Sequence, residues 1–205
     1  SKTVAQPASG ITAPGGGAWP VAANSGPRSS SASCATTWTP GLTSTASCQY
    51  TVYTLTYNNT GGAAGSFVMQ DVIGSGATAG LVYVAGSAVW SSAPGTALSE
   101  TAPGTGATAG VDFKVISSGS GNTTVSNLTF VDNSVPVNTI RSVSFVVLVD
   151  NTATLGTSTT TNTAKYNPND GSKDPITGNP ITPPTASNPG DNVTTTTNGS
   201  PYTTT

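Results

Sequence analysis

Two cysteines are the side chains of this chain best placed for covalent chemistry. Cys34 and Cys48 bracket the segment ATTWTPGLTSTAS, whose Thr39-Pro40-Gly41 turn lets the two sulfurs face each other. A disulfide closing about 15 residues contributes roughly 3 kcal/mol in the chain-entropy model. Two buried thiols are the alternative, and the extracellular character of the composition favours the bond. With no histidine in the chain and no third cysteine, the pair has too few ligands for zinc.

Other reactive groups are sparse. Without histidine the commonest general base is missing. Glu100 is the only glutamate and sits in the stretch SETAPGTG. No G-x-S-x-G elbow, phosphate-binding loop or closely spaced carboxylate pair occurs in a structured run. An enzyme is therefore not expected, nor a cofactor. Asn169, Asp170 and Asp174 surround Gly171 and are candidate calcium ligands. The run lacks the bidentate glutamate of an EF-hand, so an Asn-Asp-Gly turn is the preferred reading and no metal is expected. Trp19, Trp38 and Trp90 stand in separate segments and read as packing residues; a sugar platform would need them on one face. Asn58, Asn122, Asn127 and Asn192 begin N-x-T sequons and are glycosylation candidates.

These groups must be held by strands. Helix formers are scarce and no stretch has apolar residues at 3.6-residue spacing, whereas Thr and Val favour pleated backbone and Gly, Pro and Asn mark turns. The predicted strands are 2–5, 33–38, 48–58, 65–73, 81–90 with a break at Gly86, 111–117, 123–131, 139–150 and 156–166. Ser144 to Val149 barely alternates, which implies burial on both faces or coverage by another chain. Residues 6–31 form a Gly/Ser/Pro-rich insertion after a first strand at 1–5. From 167 to 205 the chain becomes a Pro/Thr-rich extension, with a possible last strand at 191–197. The whole is predicted to be all-β: a single immunoglobulin-like sandwich over 1–166 with an extended C-terminal tail.

Charge excludes several partners. Charged residues are 7% of the 205, the net charge is −2, and no basic patch exists, so nucleic acid is not a partner. No apolar run approaches the roughly 20 residues a membrane span needs. No signal peptide precedes Ser1, which reads as a mature chain destined for the extracellular space or cell surface.

Tyr50 to Ile73 carries Y-T-V-Y-T-L-T, then Asn59-Thr60-Gly61, then Asp71; Asn162-Thr163-Ala164 follows much later, and Ser1-Lys2-Thr3-Val4 opens the chain. This pattern resembles a bacterial and archaeal surface-protein repeat family, domain of unknown function eleven, an immunoglobulin-like β-sandwich. The resemblance spans nearly the whole chain. It implies that Lys2, Asp71 and Asn162 match the family's lysine, aspartate and asparagine. An amide can form between lysine amine and asparagine carboxamide with loss of ammonia, and a dry core favours the uncharged groups this needs. Polar residues at strand ends, bonded to backbone or water, are the alternative.

The function expected is structural: a subunit of an extracellular filament or surface layer, joined to copies of itself head to tail by strand exchange. A lone domain, a strand at the N-terminus and a long tail motivate this. The alternative is a ligand- or carbohydrate-binding adhesin module of a surface protein.

Overall fold

The computed structural model describes residues 2–4, 7, 9–21, 33–45, 48–75, 78, 80–101, 103–149, 158–162, 164–169, 195–196 and 200–204. For the first strand and for all strands after residue 150, it describes backbone and register. Asp170, Asp174 and Asn192 lie outside the described residues.

The chain builds β1 (Lys2–Val4), β2 (Gln49–Asn59), β3 (Gly65–Ile73), β4 (Leu81–Tyr83), β5 (Val89–Trp90), β6 (Val111–Ser118), β7 (Val125–Val135), β8 (Thr139–Val149), β9 (Ser158–Asn162), β10 (Lys165–Asn169), β11 (Thr195–Thr196) and β12 (Ser200–Thr204). One antiparallel sheet has the order β1-β2-β8-β4, with β5 also on β8. The second has the order β11-β10-β3-β7-β6, and β12 pairs β9. The all-β expectation holds, and helix is confined to short 3-10 turns among the described residues.

The two sheets face each other across one apolar core. Tyr53, Leu55 and Tyr57 of β2 and Val143, Phe145, Val147 and Val149 of β8 meet Met69, Ile73, Phe113, Leu128 and Phe130 of the opposite sheet. Their period of two is that of a strand with one face turned inward. Midway along the first sheet the outward residues do not meet water either. Tyr50, Val52, Val82, Val84, Val146 and Leu148 pack beneath Ala13, Trp19 and Trp38. Those three belong to segments 9–21 and 33–45, which lie over the sheet as a third layer. The Trp38 indole donates to the Pro14 carbonyl at 3.1 Å, Trp19 to Ile11 at 2.9 Å, and the Tyr50 hydroxyl to Ala35 at 2.9 Å. The unbroken apolar run of β8 is thus covered on both faces by its own chain.

Several strand limits differ from expectation. Residues 33–38 make one parallel bridge, Thr37 to Ala85, rather than a strand. They cross the sheet margin as cover, where β4 has already ended beside Gly86, whose φ of +78° is left-handed. The expected strand 156–166 is two: β9 and β10 flank Ala164, which is fully buried in the main core. β10 continues beyond residue 166, and Ser200–Thr204, beyond the last strand expected at 191–197, pairs with β9.

Leu148 lies on the outer face of its sheet at 5% exposure. Leu148→Ala should therefore cost about 2–5 kcal/mol in urea unfolding, the range for a core leucine. A cost within about 0.5 kcal/mol, normal for a surface site, would contradict the third layer.

Candidate functional site

Asp71 is the acidic residue on the inward face of β3. Its register partner is Leu128, it is 3% exposed, and its neighbours Met69 and Ile73 belong to the core. Leu55, Asp71, Phe113 and Phe145 help line a cavity of about 10 Å³, close to the minimum for a single water. Lys2 stands opposite Leu55 in the β1–β2 register. Directly opposed residues share a face, so position 2 belongs to the row that Leu55 turns toward the cavity. Asn162 ends β9, which comes within 8 Å Cα–Cα of β3 before β10 pairs with it. The strands bearing Asp71 and Asn162 are thus near neighbours, while β1 reaches this region through its pairing beside Leu55 and its approach to β12, the partner of β9. Lys165, by contrast, stands opposite Gln70, out of phase with Asp71.

A second buried acid has no counterpart in the motif reading. Asp132 on β7 is 1% exposed and accepts from three donors: the Tyr57 hydroxyl at 2.7 Å, the Arg141 guanidinium at 2.8 Å and the Ser134 amide at 3.1 Å. The Trp90 indole donates to the Tyr57 hydroxyl at 2.9 Å, and Arg141 lies 4.9 Å from the Trp90 ring centre. The network ties β7 of one sheet to β2, β5 and β8 of the other. Burial, then the Asp132 charge, pushes the Tyr57 hydroxyl pKa far above its ordinary value. A lone aspartate after Phe130-Val131 was the available signal, but its side-chain partners Tyr57 and Arg141 come from two strands of the opposite sheet.

Glu100 has a structural post. One carboxylate oxygen accepts from the Tyr83 hydroxyl at 2.8 Å and from the Gly86 amide, anchoring the 93–104 loop at the strand break. Burial first, then the Glu100 charge, raises the Tyr83 pKa. The Asn59 side chain, from the Asn-Thr-Gly motif, bonds Gly61, Ala63 and Val135 and so joins two turns.

The remaining candidates fall as follows. Cys34 and Cys48 are joined, with Cα atoms 5.5 Å apart. Asn58 and Asn127 are exposed, while Asn122 sits in the 3-10 turn Gly121–Thr123. Asn169 ends β10, away from any described acidic cluster: among the described residues no three His, Cys, Asp or Glu side chains converge as a metal site. Trp19, Trp38 and Trp90 are 7%, 9% and 6% exposed and offer no sugar platform. No helix among the described residues is long and apolar enough to cross a membrane. Comparison with protein-family models, curated proteins and solved structures gives no match. The family likeness therefore stands on its short motifs alone.

Tyr57 and Tyr83 both have raised pKa values in the folded state, and an unfolded tyrosine ionises near 10. Above about pH 10 the unfolded chain then loses protons that the folded chain keeps, so stability falls as pH rises. Urea midpoints from pH 8 to 11 should show this decline, and Tyr57→Phe should flatten it. An equal decline in the variant would exclude Tyr57 as a source. Asp132→Ala, which strands Arg141, should cost about 3–5 kcal/mol.

Proposed function

We propose that this chain is a structural subunit of an extracellular filament or surface layer, assembled from copies of itself by strand exchange. The observation that carries the reading is β1. It is three residues long and occupies the edge of its sheet opposite Tyr53–Leu55. Tyr53 and Leu55 are core residues, 0% and 3% exposed, so this edge of the core needs a strand beside it. A long insertion separates β1 from β2, and no tight hairpin ties the two together. A strand of the same pattern from a neighbour meets the same register and the same main-chain groups. Donor and acceptor are different surfaces, so the contact is heterologous and propagates as an open fibre.

The sandwich is read as immunoglobulin-like: β1 and β2 pair in one sheet and β3 crosses to the other. Its second sheet departs from the immunoglobulin order, since β3 lies between β10 and β7. The low charge and the disulfide favour an extracellular setting. The adhesin alternative loses its aromatic motivation, because all three tryptophans are buried.

The same slot is the proposed place of a covalent bond. Lys2 Nζ attacks the Asn162 carboxamide carbon, an amide C–N bond forms, and the carboxamide nitrogen leaves as ammonia. The Asp71 carboxyl carries the proton from amine to leaving nitrogen, a single-turnover acid–base role. With β1 contributed by a neighbour, the bond joins subunits.

Electron microscopy of the purified chain should show unbranched fibres of uniform width; monodisperse particles at all concentrations would favour the adhesin reading. Deleting residues 1–9 should leave a soluble, less stable monomer, and normal fibres from that deletion would defeat strand exchange by the N-terminus. Intact mass after reduction reads the bond. Loss of one ammonia from a monomer marks an internal link, and a detergent-resistant ladder an intersubunit one, with either abolished in Lys2→Ala. A monomer at its full calculated mass removes the covalent step.

A further inference from the structure

Sheet edges display unpaired N–H and C=O groups and pair indiscriminately unless they are blocked. The first sheet has two such edges, and one short segment after the insertion, 36–44, occupies main-chain groups on both. On the β4 side, Ala85 donates its amide to the Thr36 carbonyl at 2.8 Å and accepts the Trp38 amide at 2.7 Å. On the β2 side, the Ser44 hydroxyl accepts from the Tyr50 amide at 3.0 Å and donates to the Tyr50 carbonyl at 3.2 Å. One hydroxyl thereby occupies both groups that an added strand would use at that residue. Thr36 and Ser44 lie within the loop whose ends the Cys34–Cys48 bond ties together.

The exposed edge of the second sheet is blocked separately. The Gly104 amide donates to Val111 at 2.8 Å, the Val115 amide to Glu100 at 2.9 Å, and Thr101 bridges Lys114 along β6. Along the β2 edge the main-chain groups that point outward recur every second residue. From Tyr50, which Ser44 occupies, the next but one is Thr54, opposite Thr3 of β1. Tyr53–Leu55 is thus the part of the β2 edge covered by a separate strand rather than by a clamped loop.

We propose that the disulfide-tied loop 34–48 is an edge guard, which confines strand addition to the Tyr53–Leu55 slot and to β1 of a second copy. One acceptor slot per subunit yields growth in line; unguarded edges at Tyr50 and Ala85 would add lateral pairing. The inference rests on the strand-exchange reading for the identity of the partner, but the guard itself is measurable without fibres.

Two variants of the full chain test it. Ser44→Val removes both bonds to Tyr50 while adding one methyl carbon, and Cys34→Ser with Cys48→Ser releases the loop ends. Amide hydrogen exchange at Tyr50 should speed up at least about tenfold in Ser44→Val, and at Tyr50 and Ala85 in the double variant, with Phe145 unchanged. Sedimentation velocity and electron microscopy should show lateral association in both variants where the wild type gives single-width fibres. Unchanged exchange together with wild-type assembly width in both variants overturns the guard. A wild type that stays monomeric while the variants associate laterally upholds the guard and sinks the filament reading.

Discussion

Strand β8 pairs with β2 over eleven residues on one side and with β4 and β5 on the other, and it is buried on both faces. An apolar strand in that position cannot tolerate water above or below it. Each fully buried valine or leucine is worth about 1.5–3 kcal/mol relative to exposure, so uncovering either face would remove several such contributions at once. The inner face draws in the second sheet; the outer face draws in segments 9–21 and 33–45. The disulfide, the two indole bonds to backbone carbonyls and the Trp19–Trp38 contact at 5.9 Å all serve the second requirement.

Polar groups buried in this apolar frame are tolerated because they have specific partners. Thr54 and Ser144 face each other across β2 and β8 at 2.9 Å, one hydroxyl satisfying the other. Asp132 gathers a phenol, a guanidinium and an amide, and in doing so fixes how the two sheets meet at one end. Unpaired, such groups would cost more than a comparable apolar residue contributes, so the arrangement selects one packing over its neighbours. Asp71 is buried on the inward face of β3, beside the small cavity that Leu55 also lines.

Sheet edges are where the fold bears on the proposed assembly. Loops clamp the β4 and β6 margins by backbone bonds, and a serine occupies the β2 margin near its start. A three-residue strand covers the middle of that same margin, over two fully buried side chains. The proposed strand exchange would need little rearrangement there, because a donor would replace hydrogen bonds and core cover of the same kind.

Local pattern determined much of this protein. Alternation and turn residues placed β3 at Gly65–Ile73, nearly placed β2, β6 and β8, and marked the break at Gly86; the cysteine spacing around Thr39-Pro40-Gly41 foretold the disulfide. The uninterrupted run Ser144–Val149 announced two-sided burial, since a strand with one wet face alternates. What covers the second face was not legible: the cover is irregular loop, and Trp19 and Trp38 reveal their destination only when the sheet is beneath them. The Asp132 network was equally hidden, because Tyr57, Trp90 and Arg141 are brought to it by strand order and register, which no periodicity encodes. Separation in sequence is the common reason. Contacts between neighbours follow from propensity and spacing, whereas those joining residues many tens of positions apart exist only once the two sheets have closed on each other.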